Sequence, residues 1–285
     1  MLFYLGAPRP SWLGEAGVPL FVSYNTIGSA KRLPRAIDRW ALDSGAYSQM
    51  KKGGWDISAR TYANGIARLQ SEVGNLDWAA PQDWLCDEAS LKATGRSVRD
   101  HQRLTLESYL ELSGMGAPVI PVLQGWTLGQ YLDHVEAYEK AGVRLKRMPL
   151  VGIGSIKTRM MSLMVANTIA WIASDGIRLH GFGMSLAGLE LVASRGLASA
   201  DSMAWSMGAR RRPEDEGGSN SIEAALAYRT SVLAKLKRMG VSVTNGGVVT
   251  AKQITRGKPH VPAPPPVVEN ALLAAIRKRL SERKR

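Results

Sequence analysis

Eight short apolar runs, each followed by a longer connection that is mostly of helical period, constrain this chain more than any other feature of its sequence. The runs are Leu2 to Gly6, Pro19 to Asn25, Trp40 to Gly45, Leu76 to Asp83, Pro118 to Gln124, Leu150 to Ser155, Ile177 to Gly183 and Ala200 to Ser206. Rich in β-branched, aromatic and small apolar residues, they read as strands. Between them, Ser58 to Val73 sets Tyr62, Ile66 and Leu69 on one helical face, and Ser97 to Ser113 does the same with Leu104, Tyr109 and Leu112. Thr127 to Ala141 opens on a helix-starting Thr and stops before Gly142; Lys157 to Ser174 and Ser185 to Ser194 continue the pattern. The first connection, from about Gly6 to Val18, has room only for a turn or a 3₁₀ segment. Alternation of this kind specifies an α/β fold with a parallel sheet, and eight units close into a (β/α)8 TIM barrel more naturally than they spread as an open sheet. A last helix is expected over Ser221 to Arg238, then a short strand or loop over Val241 to Val249.

The 285 residues suit one such barrel, which takes about 250. The expected division is a barrel over residues 1–250 and a basic extension over 251–285, with a proline-rich linker at Lys258 to Pro266. A formal charge of +13 points to a polyanionic partner, most often nucleic acid. That charge is uneven: residues 251–285 hold nine Lys or Arg against two Glu. Such a tail can also serve solubility alone. The single cysteine, Cys86, excludes an internal disulfide and a Cys-rich zinc site, and fits a reducing, cytoplasmic setting. The apolar start breaks at Gly6-Ala7-Pro8, and no apolar run reaches the roughly 18 residues of a membrane span, so neither secretion nor a membrane is expected.

In a parallel barrel, the C-terminal ends of the strands converge on one mouth. Those ends here read Asp43-Ser44-Gly45-Ala46-Tyr47, Gln82-Asp83-Trp84, Gln124-Gly125-Trp126, Gly152-Ile153-Gly154-Ser155, His180-Gly181-Phe182-Gly183 and Ala200-Asp201-Ser202. Aspartate is disfavoured in strands and costly to bury unpaired. Each of the three either caps the following helix or belongs to a site. Three together, beside Gln124 and glycine-rich ends, favour a site. Paired carboxylates suit acid–base or glycosyl chemistry. His101, His134, His180 and His260 are scattered without metal-ligand spacing, so no metal and no cofactor is expected. Lys157, Arg159, Arg210, Arg211 and Arg212 lie just past strand ends, where they would hold a phosphate backbone or stay merely solvated.

In this order the motifs resemble those of the tRNA-guanine transglycosylases. Asp43-Ser44-Gly45-Ala46-Tyr47 is similar to that family's Asp-Ser-Gly-Gly-Phe, and Tyr24-Asn25-Thr26 lies where it has Asn-Thr-Tyr. Leu123-Gln124-Gly125 resembles its Gln-Gly-Gly, Gly152 to Ser155 its Gly-Gly-Leu, and Gly181-Phe182-Gly183 its Gly-Val-Gly. The nearer resemblance, through Ala200-Asp201-Ser202-Met203-Ala204-Trp205-Ser206 and the small size, is to the deazapurine DNA modification proteins (DpdA) of phages and mobile elements. The likeness covers about the first 210 residues. Ala46 and Trp126 stand where the family has glycines, and Glu214 to Tyr228 lacks the Cys and His of the family's usual zinc site.

The resemblance implies exchange of guanine in DNA for a 7-deazaguanine such as preQ0 or preQ1. It implies Asp201 as nucleophile at the anomeric carbon and Asp43 as the proton carrier. It makes Asp83 and Gln124 readers of the base, with Ser44, Tyr47, Gly125 and Gly154 around it. Its location would be the cytoplasm, of the host if the chain is phage-encoded. The same residues would also serve a tRNA-guanine transglycosylase or an N-glycoside hydrolase. A non-catalytic nucleic-acid-binding barrel would account for the charge but not for the aspartates.

Overall fold

The computed structural model describes residues 1–206 and 221–244. Within them run eight strands, β1 (Leu2–Ala7), β2 (Leu20–Ser23), β3 (Trp40–Asp43), β4 (Leu76–Ala79), β5 (Val122–Leu123), β6 (Val151–Ile153), β7 (Leu179–Gly181) and β8 (Leu197–Ser202). All are parallel, in one sheet ordered β4-β3-β2-β1-β8-β7-β6-β5. The sheet curls until its edges meet at one bridge, where the Ala79 N–H donates to the Pro118 carbonyl at 2.9 Å and the Ile120 N–H to the Ala79 carbonyl at 3.1 Å. Pro118 and Pro121 have no N–H to extend that ladder. The α/β fold is therefore TIM-barrel-like, with a β4–β5 seam laced at a single point among the described residues.

Nine helices lie among the described residues: α1 (Tyr24–Ile27), α2 (Ala46–Lys51), α3 (Ala59–Glu72), α4 (Glu88–Thr94), α5 (Val98–Gly114), α6 (Leu128–Lys140), α7 (Leu163–Ser174), α8 (Leu186–Val192) and α9 (Ile222–Arg238). Local chemistry fixes their starts. The side chains of Ser58, Asp87, Ser97, Thr127, Ser162, Ser185 and Ser221 each accept the N–H three residues on. Ser97 with Asp100 and Thr127 with Gln130 complete reciprocal capping boxes. Inward faces then pack on the sheet, as Tyr62, Ile66 and Leu69 do from α3. Burying an aliphatic side chain of this size stabilises by about 2 kcal/mol. The 3₁₀ turn Pro10–Gly14 fills the first connection and buries Trp12 and Leu13.

Several expected boundaries move for visible reasons. Pro81 trims β4 and Pro118 and Pro121 trim β5, because proline cannot donate to a ladder. The helix expected from Lys157 begins only at Leu163. Consecutive turns from Ile156 to Ser162 precede it, and Ser162 accepts the Val165 N–H at 3.2 Å. Strand β8 starts earlier than expected, at Leu197 beside Leu179, and its predicted end, Met203 to Ser206, is a turn closed by the Ser206 N–H on the Met203 carbonyl. Of Val241 to Val249, Thr244 bridges Leu2; residues 245–250, the extension over 251–285 and Arg210 to Arg212 lie outside the described residues.

Inside the curl sits an aromatic plug. Tyr4 and Trp78 meet edge to face at 5.9 Å, and Phe21 and Phe182 pack at 6.0 Å. The His180 ring lies 4.7 Å from both Trp78 and Phe182. Gly152 leaves room for this plug, since a Cβ there would lie 2.5 Å from the Phe182 ring. At the N-terminal ends of β3 and β4, Arg39 grips Asp77 with Nε at 2.5 Å and Nη2 at 2.8 Å, and the Tyr4 hydroxyl adds a third donor at 2.7 Å. The plug thus rests on a charged floor.

Candidate active site

Neither helix capping nor core packing accounts for the three aspartates. Among the described helices, the start of α2 has no side-chain cap, and the caps elsewhere are other residues. Asp43 ends β3 opposite Ser23 of β2, whose hydroxyl bonds its carboxylate, as does a backbone contact at Gly45. Asp43 keeps one face open to water, yet it is packed deeply enough that desolvation raises its pKa to about 6. The negative charge of Asp201 adds to that rise, and Lys157 opposes it weakly. Asp43 and Asp201 lie at the C-terminal ends of β3 and β8 and Lys157 follows β6, so all three belong to the same end of the parallel sheet. Gly45, at φ 87°, makes the sharp turn from β3 into α2, and its carbonyl accepts the Asn25 side-chain amide at 3.3 Å.

Asp83 is buried at the end of two polar chains that both begin on backbone donors. On one side the Ala46 N–H donates to the Ser44 hydroxyl at 3.3 Å, and that hydroxyl donates to Asp83 Oδ1 at 2.8 Å. On the other, the Cys86 N–H donates to Ser155 Oγ at 2.6 Å, and Ser155 donates to Gln124 Oε1 at 2.6 Å. The Gln124 amide is thereby oriented, and its Nε2 donates to Asp83 Oδ2 at 2.7 Å. Both chains terminate on an acceptor, which suits a carboxylate. Burial nonetheless raises the Asp83 pKa to about 7, with Asp43 adding to the rise and the bonds from Ser44 and Gln124 opposing it. Ser155 holds a left-handed backbone, φ 58°, an uncommon state for a residue other than glycine and one associated with functional sites.

Gln124 is braced from behind. Its N–H meets His134 Nδ1 at 2.9 Å, and its carbonyl accepts the Gln102 side chain at 2.7 Å. Burial holds the His134 pKa down at about 4, so its ring stays neutral. Gly154 has no side chain because a Cβ there would collide with the Gln124 amide. Its carbonyl already accepts the Tyr131 hydroxyl at 2.7 Å and its N–H donates to Leu123 at 2.9 Å. Gly125 is buried against the start of α6. The glycines at 152 and 154 therefore accommodate the protein's own side chains.

Asp201 is buried in β8. Its Oδ1 accepts the Gly183 N–H at 2.8 Å and lies 3.3 Å from His180 Nε2. Gly183, at φ 62°, turns that N–H inward, and the Asp201 carbonyl takes the Met184 N–H at 2.8 Å. Ser23, Ser155 and His180 are site residues that sequence reasoning missed.

The rim carries cations and aromatic rings. Tyr47 is 55% exposed, and its ring lies 4.3 Å from Lys51 Nζ and 5.3 Å from Lys157 Nζ. Lys51 was not singled out in the sequence, although it lies one helical turn beyond Tyr47. Arg159 faces inward, stacked 3.5 Å over Trp126 and donating to the Trp126 and Ser155 carbonyls at 2.6 and 3.1 Å. Trp205 is buried, stacked on Trp12 at 5.3 Å. Among the described residues no three His, Cys, Asp or Glu side chains gather to hold a metal ion, so these residues do not fit a zinc site. No helix there is long and apolar enough to cross a membrane.

No curated protein matches the chain. Among solved structures it is similar to the HMG-CoA lyase of Bacillus subtilis, at 10% identity over 88% of this chain and 96% of that one, with a TM-score of 0.46. It is similar to 2,3-dimethylmalate lyase at 12% identity over 85% and 84% of the two chains, with a TM-score of 0.42. Likenesses so loose do not bear on the chemistry. The profile described as DeoxyPurine in DNA protein A matches residues 1–255, nearly the whole sequence and every element around the mouth, and the chain accordingly belongs to the DpdA family.

Proposed function

We propose that this protein is a DNA-guanine transglycosylase, exchanging guanine in DNA for a 7-deazaguanine base such as preQ0, preQ1 or a derivative. The observation that carries this reading is that three carboxylates near the C-terminal ends of parallel strands sit in three different settings. Asp201 is held by N–H donors, burial raises Asp43 to a pKa of about 6, which suits a proton carrier, and Asp83 ends two donor chains. Family membership makes DNA modification the setting and DNA the substrate.

The target guanosine is flipped from the strand into the mouth. An Asp201 oxygen bonds to the anomeric carbon as the bond from that carbon to N9 of guanine breaks, and the departing base takes the proton of Asp43. The incoming deazaguanine gives its N9 proton to Asp43, bonds to the anomeric carbon and releases Asp201. Two inversions retain the β configuration. Asp83 accepts from the N1–H and 2-amino edge of the base, and Gln124 lies toward its carbonyl. Ser44 supports Asp83 from behind, and Gly125 and Gly154 back Gln124. Tyr47 walls the mouth, while Lys51 and Lys157 hold phosphate. Arg210, Arg211, Arg212 and the basic residues of 251–285 contribute to the same attraction, and Arg159 acts by bracing Trp126. Residues 1–250 form the catalytic unit in this reading, which needs no metal.

The test is exchange of labelled guanine in DNA and in tRNA, with and without preQ0 or preQ1. Exchange into DNA that is lost in Asp201→Ala supports the proposal. Exchange into tRNA alone, release without replacement, or no reaction on either polymer would contradict it.

A further inference from the structure

His180 has no part in the roles given to the aspartates, yet it is fully buried among aromatic rings directly behind Asp201. A polar ring in such a place is costly unless its nitrogens are satisfied. Both are: Nδ1 lies 2.9 Å from Ser199 Oγ and Nε2 lies 3.3 Å from Asp201 Oδ1. An ionised carboxylate only accepts, so Nε2 carries the ring proton toward Asp201. Nδ1 pairs with the Ser199 hydroxyl, a group able to donate or accept, and that contact sets the rotation of the ring. Ser199 and Asp201 stand two apart on β8 and so share a face, while strand pairing sets His180 opposite Ser199. One strand thus holds both ends of the chain Ser199, His180, Asp201.

The Gly183 N–H meets the same oxygen, Oδ1, from a second direction. Two donors on one oxygen fix the rotation of the carboxyl group, and among the described residues no hydrogen bond falls on Oδ2. We infer that His180, oriented by Ser199, is a positioning residue that pins Oδ1 of Asp201 and presents Oδ2 as the attacking atom. This rests on the transglycosylase reading above.

Single-turnover formation of the DNA–protein bond, with thermal melting alongside, tests it. His180→Met keeps the bulk and removes the donor. It is expected to slow bond formation by about 10- to 100-fold, the scale of a misaligned reacting group, without changing the DNA concentration needed for half-maximal rate. His180→Gln, whose amide reaches the Nε2 position, should recover to within a few-fold of wild type. Ser199→Ala, which leaves the ring in place but frees its orientation, should slow the same step several-fold. It also decides the matter should His180→Met not fold. Wild-type rates in the folded variants, or melting losses that His180→Gln repairs no better than His180→Met, would overturn the inference and leave the transglycosylase reading standing. A wild type that neither forms the bond nor exchanges base would overturn that reading and the inference together.

Discussion

Asp43 ends β3 and Asp83 follows β4, and burial is the chief cause that raises both, yet their surroundings suit them to different work in the proposed reaction. Asp43 keeps a face toward water and the charge of Asp201 beside it, so a proton can come and go near neutral pH. As an acid it serves only while protonated, below about pH 6. Displacement of guanine should therefore slow as pH rises through about 6, while capture of the incoming base, which needs the ionised form, should speed up over a lower interval, because Asp201 in its ester lacks the charge that helps raise Asp43. Rapid-quench measurement of the two half-reactions checks this, and flat profiles would count against Asp43. Both shifts make stability depend on pH, and that of Asp83 is the larger. Its pKa is about 7 in the folded chain and about 4 unfolded, so between those values the folded state holds the extra proton. Its contribution to stability is full below about pH 4 and declines until pH passes about 7. Asp83→Asn should accordingly gain melting temperature relative to wild type as pH rises from 4 to 7, a trend readable from melts across pH 4–8.

At the scale of elements, the sequence showed the alternation, the order of strands and the aspartate-bearing ends. What it concealed has physical causes. Proline trimmed β4 and β5 because a ladder needs N–H donors that hydrophobic patterning does not register. Ser162 started α7 later than the apolar period suggested, because a cap outweighs the periodicity before it. Helices α2 and α4 span only six and seven residues, too short for a periodic signal, although Asp87-Glu88 marks the start of α4. The support of the site was hidden because Ser23, Ser155 and His180 come from three different strand ends and meet their partners only through strand order. One signal was available: Ser199 and Asp201, two polar residues at strand period, imply a polar inward face on β8. The purpose of the glycines at 152 and 154 was not legible, since a missing side chain can make room for the protein's own as well as for a ligand. The floor beneath the plug makes a prediction at this scale. Asp77→Ala leaves Arg39 and the Tyr4 hydroxyl facing an empty place. It should destabilise the fold by roughly 3 kcal/mol while leaving the pH dependence of base displacement unchanged, as chemical denaturation and single-turnover rates would show.

The whole molecule couples a neutral-pH carboxylate site to a strongly basic chain, +13 over 285 residues. That excess suits a polymer whose binding is governed by counterion release. Lys157 stands where these two properties meet, exposed on the rim beside Tyr47 and close enough to influence Asp43. Lys157→Ala should weaken binding to unrelated DNA sequences alike and reduce the slope of log affinity against log salt by about one, measurable by salt titration of fluorescent oligonucleotides. The central claim is that Asp201 takes the sugar from guanine in DNA. Intact-mass analysis of the protein after incubation with a guanine-containing oligonucleotide tests it most directly. The account predicts a protein–oligonucleotide adduct lacking one guanine, mapped by peptide sequencing to Asp201, cleared by added deazaguanine and absent from Asp201→Asn. An adduct on another residue, or base exchange proceeding normally in Asp201→Asn, would contradict it.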